Sequence, residues 1–369
     1  MSIPYRADQV GSLLRPPGLI EARAAWEAGR KSLAELRAAE DAAILRVLGL
    51  QRKTGIGVVS DGEFRRSTWG NGFLDRLEGL EDDVEGVVQG GHWQGETAAL
   101  AAETLPRKKV VVGKVRVKAP FTGEEAQFLA RHASAPYKIT MPSPTMFLRL
   151  FVLGRSNAAY ADEDELLDDF VKIYLDEVDS LVALGVPYIQ LDSLRYISFI
   201  TDIERGAADR AAVQRAIEHL VEADNRVMAR ARKSGVTRAM HICRGNHRSA
   251  WFGEGSYEAV AETLFGTAEV DRFLLEFDDE RSGGFEPLRF VPKGKVVVLG
   301  LITSKSGELE SLDALRRRVD QAAKFVPMEN LAISPQCGFA STHLGNLLTE
   351  DEELRKLELV AEAARRIWG

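Results

Sequence analysis

The amino-acid sequence predicts an α/β fold: a (β/α)8 TIM barrel with an N-terminal helical extension and an insertion after strand 2. Three observations carry this expectation. Short runs rich in β-branched residues alternate with long amphipathic stretches, the pattern of parallel strands joined by crossover helices. Eight such runs can be counted, the strand number of a closed barrel. The 369 residues also suit one barrel with insertions, so 1–369 reads as a single domain with an insertion at about 80–125.

The elements follow in order. Arg6–Val10 is the first predicted strand. Residues Pro17 to Arg52 then read as a helical pair broken at Gly29–Ser32, with Ser32 the N-cap of the second helix. Gly57–Asp61 is the second strand. The less regular stretch Leu80–Glu125 contains a Gly-Gly-His-Trp loop and then Lys-Val-Val-Val-Gly-Lys-Val-Arg-Val-Lys, whose alternation predicts a small hairpin. At the barrel mouth such an insertion can close over substrate or act as a plain stabilising flap. Further strands are predicted at Tyr137–Thr140, Tyr188–Asp192, Arg238–Cys243, Arg272–Phe277, Val296–Ile302 and Leu331–Pro335. Helical patterns cover Glu163–Leu184, Ala207–Ser234, Tyr257–Phe265, Leu312–Phe325 (N-cap Ser311) and Asp351–Ile367.

Composition narrows the function classes. The balance of 48 basic against 55 acidic residues gives −7, which argues for a soluble protein without a broad nucleic-acid surface. No segment is apolar enough for long enough to span a membrane, and the N-terminus lacks a secretory apolar core. Two cysteines exclude a disulfide framework and make a cytoplasmic location the default. A homo-oligomer remains compatible with all of this.

The two cysteines gain meaning from their positions. Taken alone, they read as two inert core residues. In a barrel, however, active sites form at the carboxyl ends of the strands. His241 and Cys243 end the fifth strand, Glu276 the sixth and Cys337 the eighth. Residues two apart on a strand share a face, so His241 and Cys243 point the same way. Thiolate, imidazole and carboxylate are donors that zinc accepts, and two thiolates favour that metal, one ion per chain. Glu276 is the hardest donor of the four and the one expected to give way to an incoming thiol. Because a coordinated thiol is deprotonated, the expected chemistry is alkyl transfer to sulfur. Hydrolysis by zinc-bound water is the competing reading.

Other strand ends supply polar groups. Gly11-Ser12 forms a turn that can hold a carboxylate, though an ordinary turn would look alike. Glu63 and Asp192 are placed to bind a substrate ammonium, or else to pair Arg65 and Arg195 across the rim. Lys305, after the seventh strand, can stabilise a leaving anion or bind an acidic group, or be a solvated loop lysine. Lys305 and Asp192 are the catalytic candidates. His92, His132, His219, His247 and His343 have no evident partner and are assigned to the surface.

At these residues the chain resembles the cobalamin-independent methionine synthase family, in particular its catalytic C-terminal barrel. The matching pieces are Arg6-Ala-Asp-Gln-Val-Gly-Ser-Leu-Leu-Arg-Pro16, Asp61-Gly-Glu-Phe-Arg65, Ile189-Gln-Leu-Asp192, His241-Ile-Cys243, Glu276 and Ser334-Pro-Gln-Cys-Gly338. The resemblance implies zinc held by His241, Cys243, Glu276 and Cys337. It also implies homocysteine bound by Gly11, Ser12, Glu63 and Asp192 and methylated to methionine by a methylated folate. Short single-barrel members look most alike, through Leu275-Glu-Phe-Asp-Asp-Glu-Arg-Ser-Gly283 and Leu299-Gly-Leu-Ile-Thr-Ser-Lys305. Departures fall on the donor side. The N-terminal barrel of full-length enzymes is missing, the pterin-stacking tryptophan is replaced by Thr140-Met-Pro-Ser-Pro144, and the acid histidine by Lys305. Asp192 is followed by Ser193-Leu194 rather than Glu-Pro.

The leading expectation is therefore a zinc-dependent methyltransferase that makes methionine from homocysteine. Its donor would be a methylated corrinoid protein or a small methylated compound rather than the polyglutamated folate. One alternative is an alkyltransferase of the same zinc class acting on another thiol, such as epoxide opening by coenzyme M. Another is a non-catalytic thiol- or zinc-binding barrel.

Overall fold

The computed structural model describes residues 4–86, 93–106, 108–206, 209–232 and 235–369. In chain order the strands are β1 (Leu77–Asp82), β2 (Lys109–Val117), β3 (Ile139–Pro142), β4 (Tyr188–Ser193), β5 (Thr237–Ile242), β6 (Arg272–Glu276), β7 (Val296–Ile302) and β8 (Leu331–Pro335). The alternating lysine–valine run, expected to be a small hairpin, is a single strand, β2, paired antiparallel with β1 from the start of the insertion. β3 to β8 form one parallel sheet in sequence order, each strand beside the next.

Period-two alternation sorts the sheet residues into two cores. Tyr188, Ala239, Leu274, Val298 and Ala332 belong to a small interior cluster. Their neighbours Ile189, Met240, Leu275, Val297 and Ile333 belong to the large cluster shared with the helices. Strands buried on both faces and covered by helices are what a barrel requires.

The barrel is completed differently from the expectation. Arg6–Val10 and Gly57–Asp61 form no strands; each contributes a single bridge, Ala7 to Ile333 and Val59 to Tyr137. Individual bonds still close the ring: Asp8 N–H donates to Ile333 O (2.9 Å), Gly57 N–H to Ala7 O (2.8 Å) and Lys138 N–H to Val59 O (3.0 Å). A Cβ on Gly57 would lie 3.0 Å from Ala7 O, so glycine permits this approach. Side chains take the remaining backbone groups. The Gln51 amide accepts from Ser60 N–H (3.0 Å) and donates to Ser60 O (2.8 Å), as a neighbouring strand would. Lys138 Nζ donates to Gln9 O, and Gln190 Nε2 to Val10 O (2.7 Å).

The helical expectations hold with shifted ends. The N-terminal pair is Pro17–Glu27 and Leu33–Thr54, the second starting in a capping box of Ser32 and Glu35. Glu163–Ala183, Leu312–Ala322 and Glu350–Trp368 match their predicted counterparts. Arg210–Ala229 occupies the fourth predicted stretch, of which 207–208 and 233–234 lie outside the described residues. The predicted helix Tyr257–Phe265 is instead a 3-10 turn, Tyr257–Ala259, followed by the helix Ala261–Thr267. Ser256 tightens that turn by accepting from Glu258 N–H (3.2 Å), and the Tyr257 hydroxyl is committed to Ile242 O (3.3 Å). Among the described residues no helix is long and apolar enough to cross a membrane.

Candidate active site

β5, β6 and the turn after β8 bring four donors together. His241 lies near the end of β5, Cys243 just past it, Glu276 at the last position of β6, and Cys337 two residues beyond β8. All four are buried, and their ligand atoms lie within 4.8 Å of one another. The two sulfurs are 3.4 Å apart, and His241 Nε2 is 3.8 Å from Glu276 Oε1.

The surroundings orient each donor. His241 Nδ1 lies 3.2 Å from Leu274 O. A neutral ring that donates there keeps Nε2 as the basic nitrogen, and Nε2 is buried with no partner. Glu276 Oε1 accepts from Arg244 N–H (2.7 Å), while Oε2 is buried and unpartnered, with Arg281 Nη2 at 3.8 Å. The Tyr257 hydroxyl also accepts from Glu276 N–H (3.1 Å), tying the β6 end to β5.

Burial pushes the His241 pKa down to about 3 and raises that of Glu276. The hydrogen bond with Cys337, together with burial, pushes the Cys243 thiol up. A divalent ion would reverse the preferences of Glu276 and Cys243, because metal ligands bind in their deprotonated forms, while the neutral His241 ring already suits it. Tetrahedral zinc bonds of about 2.0–2.3 Å put donors roughly 3.3–3.8 Å apart, which a cluster this tight can reach. The orphaned His241 Nε2 and Glu276 Oε2 fit the same reading. The cluster is therefore one that can hold a metal ion.

The second group of candidates borders the first. Asp192 of β4 is in register with His241 of β5. Gln190 Nε2 donates to its Oδ1 (2.7 Å), and burial and the charge of Glu63 push its pKa well up. Glu63 sits at φ +60°, a left-handed conformation unusual for a side-chain-bearing residue. Asp61 Oδ1 supports it by accepting from Glu63 N–H (2.9 Å). Glu63 Oε1 accepts from the Thr140 hydroxyl (2.7 Å), and Oε2 is buried without a partner. Gly11, at φ +148°, abuts this pair: a Cβ there would lie 2.7 Å from Thr140 Cγ2 and 3.2 Å from Glu63 Oε1. Ser12 adjoins the metal side, since a Cβ on Gly338 would lie 2.0 Å from its Oγ. Phe339 N–H also donates to Ser12 O (2.9 Å).

Several rim expectations need correction. Arg65 pairs with Glu40 and Asp41, not with Glu63 (3.4 and 2.5 Å). The cation near Glu63 is Arg66, at 3.5 Å. Lys305 is not a solvated loop lysine: its Nζ is buried with no hydrogen-bond partner, and its charge lowers the pKa of Glu276 and His241. His247 is buried rather than superficial, with Nε2 3.0 Å from the Thr104 hydroxyl of the insertion. His92 lies outside the described residues. Sequence reading also passed over Thr140, Arg66 and Gln190. Thr140 ends a predicted strand, but Gln190 is mid-strand and Arg66 lies five residues past one, places shared with many structural residues.

Comparison with known proteins places this arrangement. Residues 7–365 match the family model for the catalytic domain of cobalamin-independent synthase. The chain is 39% identical over 380 residues to the uncharacterized protein YxjH of Bacillus subtilis (strain 168), covering 99% of this chain and 95% of that one. It is 23% identical over 332 residues to a methionine synthase of Sulfolobus acidocaldarius, covering 89% and 84%. A crystal structure from Listeria monocytogenes, of a protein proposed to be a vitamin-B12-independent methionine synthase, superposes with a TM-score of 0.74 at 30% identity. That match covers 100% of this chain and 99% of the other. A B12-independent methionine synthase from Shewanella sp. W3-18-1 has the same fold, with a TM-score of 0.72 at 21% identity over 100% of this chain and 98% of that one.

Proposed function

The chain belongs to the cobalamin-independent methionine synthase family, and from that premise we propose that it is a zinc-dependent methyltransferase converting homocysteine to methionine. Its donor would be a methylated corrinoid protein or a small methylated compound rather than polyglutamated folate. His241, Cys243, Glu276 and Cys337 would hold the zinc, one ion per chain. Bound there, zinc would supply a Lewis-acidic centre that deprotonates a coordinated substrate thiol.

The protein's own groups would do the rest. Glu63 and Asp192 bind the substrate ammonium, whose charge offsets the repulsion between the two carboxylates. Gly11 and Ser12 hold the substrate carboxylate with backbone N–H groups and a hydroxyl. Lys305, a buried ammonium without a partner, is poised for developing or resident negative charge near Glu276. A cytoplasmic setting suits two reduced thiols.

The observation that carries the reading is the pairing of two unlike half-sites. A sulfur-rich donor set borders a pair of buried carboxylates, one with an oxygen that has no partner. That pair favours a thiol carrying an ammonium over coenzyme M, which has a sulfonate and no cation. Calorimetry on the zinc-loaded protein tests this directly: homocysteine should bind and coenzyme M should not. Failure of homocysteine to bind would refute the proposal.

A further inference from the structure

We propose that Thr140 is a positioning residue that fixes one oxygen of Glu63 and so leaves the other free for the substrate ammonium. The inference rests on the reading of Glu63 as an ammonium-binding group. Arg66 and Glu63 are both buried, and Arg66 Nη1 is 3.5 Å from Glu63 Oε1. Two such groups would normally close into a charge-assisted, even bidentate, pair. Here they do not.

The hydroxyl of Thr140 lies beside both groups and bonds each of them. It accepts from Arg66 Nη1 (3.1 Å) and donates to Glu63 Oε1 (2.7 Å). The order is fixed by chemistry, because a guanidinium can only donate and a carboxylate only accept. Other groups hold Arg66 back. Its Nε and Nη2 are bound by Glu125 (3.0 and 2.5 Å), and Nη2 also donates to Thr140 O (2.8 Å). The Thr140 methyl is wedged at the bare face of Gly11, where a Cβ would come within 2.7 Å of it. That contact and the stiffness of a β-branched side chain hold the hydroxyl toward Glu63. The outcome is a carboxylate with one oxygen engaged and Oε2 buried without a partner. Without the hydroxyl, Glu63 Oε1 loses its hydrogen bond, and Arg66 Nη1, already 3.5 Å away, would close on it and weaken the charge an ammonium needs.

The test uses two ligands on the zinc-loaded full chain: homocysteine, and 4-mercaptobutyrate, which has the same thiol and carboxylate but no ammonium. Calorimetry gives the preference of each variant for the first over the second. Thr140→Val, of nearly the same shape, should shrink that preference about tenfold or more, through weaker homocysteine binding alone. Thr140→Ser, which restores the hydroxyl, should keep the preference within about threefold of wild type. Thr140→Ala makes the same prediction as valine should that variant not fold. An undiminished preference in the hydroxyl-free variants, or an equal loss for both ligands, overturns the inference. A wild-type protein with no preference at all would instead overturn the ammonium reading of Glu63.

Discussion

The barrel mouth is built from two arcs held together in different ways. From β3 to β8 a continuous backbone ladder sets the place of each inward side chain. That arc carries His241, Cys243 and Glu276, with Cys337 just beyond its last strand. The remaining arc, through Ala7 and Val59, is stitched by side chains: Gln51, Lys138 and Gln190 bond backbone groups that a strand would otherwise take. It carries Gly11, Ser12 and Glu63. A ladder spreads its hold over many bonds, whereas stitching concentrates it in a few. On the laddered arc, substitutions should therefore be felt at the donor atoms themselves. On the stitched arc they should be felt at residues behind the site.

The largest effect expected is at a donor. Cys337→Ser removes a sulfur from the cluster and should weaken zinc binding by about a hundredfold or more, since even residues that only support a metal ligand commonly cost ten- to a hundredfold. Metal analysis after dialysis measures it. The fold should persist, because β8 is held by backbone bonds to β7. Full zinc retention would break the assigned donor set.

The two arcs also differed in how plainly the sequence announced them. The donors were legible because cysteine is scarce here and all four residues fall at predicted strand ends, where barrel geometry brings them together. Arg6–Val10 and Gly57–Asp61 have the apolar pattern of strands, yet nothing local reveals that Gln51 takes both backbone groups of Ser60. His247 was assigned to the surface because its partners, Thr104 and Thr342, lie 143 residues before it and 95 after it. Thr140 could not be singled out for a similar reason: its place beside Arg66 and Glu63 exists only after two distant segments meet.

A middle-sized effect should separate the arcs by stability rather than metal content. Gln51→Leu leaves buried Ser60 N–H and C=O groups without their partner, and each such group costs about 1–3 kcal/mol. Urea unfolding should show a loss of roughly 2–4 kcal/mol, with zinc content per folded chain unchanged. A loss below about 0.5 kcal/mol would mean the stitching is incidental.

The smallest effect is a pH dependence belonging to the stitched arc. Glu353, on the C-terminal helix Glu350–Trp368, accepts from Leu14 N–H (2.9 Å) and so anchors the turn that carries Gly11 and Ser12. Burial pushes its carboxyl up to about 8, and burial likewise pushes Asp61, beside Glu63, to about 7. A carboxyl raised above its unfolded value binds more protons in the folded state than in the unfolded one. Stability contributed by its neutral form is then complete below the unfolded pKa and declines as pH rises through the folded pKa. Glu353→Gln keeps the shape and cannot ionise. Its stability relative to wild type should thus improve by about 1 kcal/mol or more between pH 6 and pH 9, since a tenfold change in proton affinity is worth about 1.4 kcal/mol. Because Asp61 is untouched, part of the decline should remain in the variant. Urea unfolding at the two pH values decides the point: parallel profiles would show that the Glu353 carboxyl is not the group that loosens this arc.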